Sequence, residues 1–147
     1  MRANNDLHNN IKQAPIISPI AIGANGTVTG KIIDRQGYGG IEFLSSFGAV
    51  TTTGTIVNLV AFEGDTTGAM TSVADADLLG TEALFSLPVQ AGARTSGVGK
   101  NVVKRLGYKG SKRYVRVDGV KTGTSSVGCF DVGAILFNPG IRPTSNP

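Results

Sequence analysis

The sequence contains one cysteine, one histidine and no tryptophan. Because Cys129 stands alone, no intrachain disulfide can form, and its apolar setting SSVGCFDVGAILF predicts a small buried core residue. His8 is the single histidine and lies in a polar N-terminal stretch, which excludes a multi-histidine metal site and a Ser-His-Asp triad on a packed scaffold. We therefore assign no catalytic, metal-binding or cofactor-binding residue.

Long hydrophobic runs are also missing. No stretch approaches the roughly 20 apolar residues of a membrane-spanning helix. The first residues, MRANNDLHNNIKQ, lack the apolar block of a signal peptide. We expect neither a membrane segment nor an export signal.

Acidic and glycine-rich segments carry no complete chemical motif. Asp65, Asp75 and Asp77 could supply oxygen ligands to Ca²⁺, but the EF-hand pattern is absent and turn hydrogen bonding is the favoured role. The segment GVGKN lacks the G-x-x-x-x-G-K-[ST] spacing of a phosphate-binding loop. Enzymatic activity is not expected.

Glycine, serine and threonine are abundant, and they separate short segments with strand patterns. IEFLSSFGAV alternates, with Ile41, Phe43, Ser45 and Phe47 on one face, while TIVNLVAFEG is apolar on both faces and predicts a central strand. Turn signals recur roughly every 8–12 residues. The pattern predicts an all-β protein, an antiparallel β-sandwich of jelly-roll-like type, with the strand order left open.

Three regions are expected along the chain: an extended N-terminal arm over 1–13, the β-sandwich over 14–138, and a Pro-rich C-terminal tail over 139–147. Pro15 and Pro19 mark APIISPIAI as an edge strand. VADADLLGTEALF is ambiguous between a helical turn begun by Ser72 and an irregular crossing, and a strand from Ala83 to Leu87 is predicted after it. We expect both terminal segments to become ordered by lying on neighbouring molecules.

Basic residues are concentrated in one window. Eight of the fourteen lysines and arginines lie between Lys100 and Lys121, and Asp118 is the only acid there. Three interpretations of LGYKGSKRYVRV stay open: a solvated strand whose cations discourage edge pairing, a strip matching an acidic protein partner, and a nucleic-acid strip, which is the least favoured.

Three segments, SVADADLLGT, LGYKGSKRYVRV and VGAILFNPGIRP, resemble a group of small proteins from the structural gene modules of tailed bacteriophages. The resemblance spans Ile56 to Pro143. The Asn-rich N-terminal arm and the loop QAGARTSGVGKN depart from the group's pattern. The resemblance implies a virion protein of the capsid decoration or cement type, located on the capsid surface and assembled in the host cytoplasm.

That resemblance implies the major capsid protein and further copies of this chain, as a trimer or dimer, as partners, with no membrane and no catalytic residues. The residues expected to bind partners are apolar anchors near both ends and the cations of the basic strand: Ile11, Ile16, Ile17, Ile20, Lys109, Lys112, Arg113, Arg116, Ile141 and Arg142. The alternatives are a head–tail connector, tail or spike component of the same virion, or a single-stranded nucleic-acid-binding β-barrel.

Overall fold

A computed structural model describes residues 6–50, 55–87, 101–123 and 128–140. The strands in chain order are β1 (Ile11–Ala21), β2 (Gly26–Val28), β3 (Ile33–Asp34), β4 (Tyr38–Phe47), β5 (Ile56–Thr66), β6 (Ala69–Ser72), β7 (Leu78–Leu79), β8 (Val102–Tyr108), β9 (Tyr114–Thr122) and β10 (Cys129–Pro139). A turn of 3-10 helix covers Asp75–Asp77, and α1 covers Glu82–Phe85. The described chain is thus built mainly of strands, as the sequence predicts.

Two antiparallel sheets pack against each other. Sheet A has the order β1-β10-β4-β8-β7, and sheet B has the order β2-β9-β5-β6, with β3 pairing the same strand β9. When β2 and β3 are taken as one interrupted strand, β1 pairs β10, β2/β3 pairs β9, β4 pairs β8 and β5 pairs β6. This nested pairing of first with last strand is the order of a jelly roll.

Alternation along the strands places one face of each sheet in the core. In β4, Ile41, Phe43, Ser45 and Phe47 are buried while the residues between them are half-buried, so the predicted pattern is confirmed. Strand β5 lies between β9 and β6, which confirms its central position. The rings of Phe47 and Phe130 stack between neighbouring strands with centroids 6.0 Å apart.

Strand β1 forms one edge of sheet A, as its prolines predict. Its register against β10 shifts between Pro15 and Ile17 and again between Ile17 and Ile20. These irregularities allow two consecutive residues, Ile16 and Ile17, to face the core, where both are buried.

Segment 82–87 covers part of the edge of β5 that β6 leaves open. Val57 and Leu87 exchange backbone hydrogen bonds, Leu59 N donates to Ser86 Oγ at 2.8 Å, and Ala61 N donates to Glu82 Oε1 at 2.6 Å. The predicted strand from Ala83 to Leu87 is therefore wrong, because Glu82–Phe85 is helical and capped by Thr81. The 3-10 turn Asp75–Asp77 begins after Ala74 and not at Ser72. The side chains of Glu82 and Ser86 occupy positions that a further strand would fill with backbone groups.

The ends of the sandwich differ from the expected boundaries. Residues 11–13, predicted in the arm, pair with β10, because that strand extends far enough to meet them. Before them, Asp6 to Asn10 form a turn in which Asp6 accepts from Asn9 N at 3.1 Å, so this part of the arm is not extended. Pro139 pairs with Tyr38 at the end of β10, so the tail begins later than predicted.

Candidate functional site

The basic strand β9 lies in the interior of sheet B. It pairs with β5 along one side and with β2 and β3 along the other. The interpretation of its cations as guards of an open edge is therefore wrong for β9. Since both backbone edges are occupied, its side chains alone are available to a partner.

Two cations immediately before β9 are held by carboxylates within the molecule. Lys112 Nζ lies 2.6 Å from Asp65 Oδ2. Arg113 donates from Nε and Nη2 to the two oxygens of Asp34 at 3.0 and 2.6 Å. The hydrogen bond from Arg113 holds the pKa of Asp34 below its usual value. Arg113 directly precedes β9 and is exposed.

Arg116 and Asp118 form a third pair, which is largely buried. Arg116 Nη2 donates to Asp118 Oδ2 at 2.9 Å, and the guanidinium lies 5.0 Å from the centre of the Phe62 ring. Asp118 Oδ1 also accepts from the backbone N of Gly30 at 3.0 Å. The pair therefore fastens the connection between β2 and β3 to β9, which is a structural role.

Tyr108 joins the two sheets at this end of the sandwich. Its buried hydroxyl donates to the Glu63 carboxylate on β5 and accepts from the backbone N of Lys112 at 3.1 Å. Burial, reinforced by the hydrogen bond to Glu63, raises the pKa of Tyr108 well above its usual value. Gly110 makes room for this ring, because a Cβ there would lie 2.4 Å from the hydroxyl oxygen.

The basic strand thus presents few free cations. Lys112, Arg113 and Arg116 each have a carboxylate partner, whereas Lys109 is exposed and has no ion pair among the described residues. An acidic-partner strip or a nucleic-acid strip needs several uncompensated charges in a row. Neither interpretation gains support from this arrangement.

The site residues predicted from the sequence did not include Arg35, which lies beside β9. Its guanidinium carbon lies 5.0 Å from the centre of the Tyr108 ring. With Gln36, Gly37, Tyr38, Ser111 and Arg113 it lines a shallow cleft of about 290 Å³. No sequence signal identified Arg35, because a lone arginine in the Gly-rich segment RQGYGG resembles an ordinary turn residue.

The residues predicted as apolar anchors lie in different surroundings and do not form one surface. Ile16 and Ile17 lie in the core, so the expectation that they bind a partner is wrong. Ile20 is exposed, and Ile11 is half-buried and pairs with Phe137 across the sheet. Ile141 and Arg142 lie outside the described residues.

The outer face of sheet A carries a groove of about 380 Å³, which is lined by apolar side chains together with Gln13, Ser46 and Asp131. The outward positions of β10, β4 and β8 align in rows, so that Gly133 lies beside Leu44, and Asp131 lies in line with Ser46 and Val103. Because Gly133 has no side chain, the face is depressed there. Val103, the second residue of β8, is 68% exposed and borders the groove.

Two further features lie on this side of sheet A: the thiol of Cys129 and an ion pair between β4 and β8. Cys129 is exposed, so the predicted core position is wrong; it shares the outward alternation of Asp131 and Gly133. Glu42 lies 3.9 Å from Arg105 across neighbouring strands. Burial raises the pKa of Glu42, and the nearby charge of Arg105 opposes that rise.

Within the ranges that the structure covers, no three His, Cys, Asp or Glu side chains are grouped so that they could hold a metal ion. In the same part of the chain, no helix has the length and apolar character needed to cross a membrane. Comparison with known protein families, curated proteins and solved structures found no match to this chain.

Proposed function

We propose that this chain is a structural virion protein that binds the outer capsid shell of a tailed bacteriophage and stabilises it. The resemblance of its sequence segments to phage structural proteins motivates the assignment. The jelly-roll strand order is compatible with it, because viral capsid domains use this fold among others. Because a fold alone does not define a function, the proposal also needs a surface that can bind the capsid shell.

The observation that carries the proposal is the outer face of sheet A. Leu44, Val103 and Ile135 line a groove in a rigid sheet whose opposite face forms the core. A groove on regular strands offers a fixed shape, so a partner can bury apolar area there with little ordering of this protein. The partner that we assign to it is the major capsid protein.

A single charged substitution tests this surface. Val103→Glu places a second carboxylate in the groove, which Asp131 already lines, and because Val103 is 68% exposed the change leaves the core intact. We expect binding to shells that lack the protein to weaken about tenfold or more, since docking would bury an unpaired charge. Leu84→Glu is the matched control, because Leu84 is 73% exposed but lies on α1.

The readout is co-sedimentation of purified protein with shells from particles that carry its gene. Equal loss of binding in both variants would show a general charge effect, and unchanged binding of Val103→Glu would remove this face from the interface. Absence of wild-type binding would contradict the proposed function. Copy number per particle separates shell decoration from the alternative of a connector, tail or spike component, because only a decoration protein scales with shell area.

A further inference from the structure

We infer that the cleft beside Arg35 is a second contact site, which receives a carboxylate side chain from an acidic surface of the protein partner. This inference rests on the proposed function and adds the chemistry of a contact away from sheet A's outer face. The cleft lies at the end of the sandwich where β3, β4 and the connection from β8 to β9 meet.

Arg35 is held in place but is not neutralised. Its backbone N donates to Arg113 O at 3.1 Å, its carbonyl accepts from Tyr38 N at 3.0 Å, and its guanidinium stacks on Tyr108. Among the residues that the structure describes, no carboxylate pairs with it. Arg35 is half-buried, and it lines the open cleft.

The combination of a fixed position and an unpaired charge distinguishes Arg35 from the neighbouring cations. Lys112 and Arg113 are each engaged by an acid, and Lys109 has a flexible stem in solvent. A guanidinium already fixed by stacking loses less conformational freedom when it binds than a free side chain does. Its planar fork suits a carboxylate, which can accept two parallel hydrogen bonds.

The charge balance of the cleft favours one carboxylate over a polyanion. The cations at this end are Arg35, Lys109, Lys112 and Arg113, and the acidic residues in contact with this region are Asp34, Glu63, Asp65 and Asp77. Cations and acids are equal in number, so this end carries no net positive charge that would attract a polyanion. A nucleic-acid backbone would bring several phosphates close to these acids, whereas one aspartate or glutamate of a protein surface needs only the Arg35 guanidinium.

The first test compares Arg35→Gln with Lys121→Gln in the shell-binding assay. Both variants lose one positive charge, but Lys121 is at the opposite end of β9, where it pairs with Gly26 and Val57. We expect Arg35→Gln to weaken binding about tenfold or more, as for the loss of a charged hydrogen bond, and Lys121→Gln to bind like wild type. Equal binding by all three proteins would overturn the inference and leave the proposed function standing.

Because Arg35→Gln also removes the stacking contact with Tyr108, a second measurement uses the unaltered protein. In an NMR titration of the intact ¹⁵N-labelled protein, a short peptide with blocked ends and a single glutamate is the probe, and inorganic phosphate is the comparison. We expect the peptide to shift the Arg35 Nε–H signal at concentrations where phosphate does not. No shift with the peptide, or an equal shift with phosphate, would contradict a carboxylate site whatever the shell assay shows. If wild-type protein fails to bind shells but the peptide shift is seen, the shell function fails and the site survives.

Discussion

Removal of the Tyr108 hydroxyl tests how the two sheets are joined. In Tyr108→Phe the ring stays buried, but the hydrogen bonds to the Glu63 carboxylate and from Lys112 N are lost. A bond to a charged group contributes about 1.5–3 kcal/mol and an ordinary one about 0.5–1.5 kcal/mol. Because Glu63 is only half-buried and water can replace part of its bonding, we expect a loss of about 2–3 kcal/mol in unfolding free energy.

For a domain of this size, that loss corresponds to a melting temperature lower by about 6–10 °C. Tyr114→Phe is the control, since the Tyr114 side chain is half-buried and its hydroxyl makes no hydrogen bond among the described residues. Calorimetry or urea unfolding at neutral pH measures both variants. Equal stability of the two variants would refute the assigned role of the hydroxyl.

The same variant has a defined pH dependence. The pKa of Tyr108 is raised in the folded state, so the protonated phenol stabilises the fold fully below the unfolded pKa of about 10. That contribution is lost as pH rises from there through the folded pKa. The stability difference between wild type and Tyr108→Phe therefore narrows in alkali, and a constant difference up to alkaline unfolding would contradict this assignment.

Two further predictions concern the connection between β2 and β3 and the ion pair between Asp34 and Arg113. Gly30→Ala would place a Cβ 2.1 Å from Val117 O and 2.6 Å from Ile16 Cγ2, so we expect a loss of about 3 kcal/mol or more in urea unfolding, whereas Gly23→Ala meets no atom within 4 Å and changes stability little. If Gly30→Ala and Gly23→Ala changed the unfolding free energy equally, that result would contradict the close packing around Gly30. Since the pKa of Asp34 is lowered by Arg113, its contribution is present above the unfolded pKa of about 3.9 and is lost as pH falls through the folded pKa. The stability gap between wild type and Asp34→Asn should narrow below about pH 4, and an unchanged gap there would contradict the pairing.

The sequence predicted those strands whose pattern is set by local burial. β4 shows the alternation of IEFLSSF because one face packs on the other sheet, and β5 is apolar on both faces because it is interior. Strand order could not be predicted, since it depends on pairings between distant segments such as β1 with β10. Segment 82–87 was mispredicted because its side chains, and not only its backbone, satisfy the edge of β5.

The candidate sites were predicted less well than the fold. The cations of LGYKGSKRYVRV appeared free because their partners Asp34 and Asp65 lie far away in the sequence. Ile16 and Ile17 appeared to be surface anchors because a bulge, which breaks alternation, is invisible without the pairing register. Cys129 could have been placed outward, because it alternates with Phe130, a core residue.

A cryo-electron-microscopy reconstruction of the virion that carries this gene tests the central claim most directly. The account predicts density for the jelly roll over the capsid shell, with the outer face of sheet A and its Val103 groove against the major capsid protein and an acidic side chain beside Arg35. A particle without this density on its shell, or with that face of sheet A turned to solvent, would contradict it.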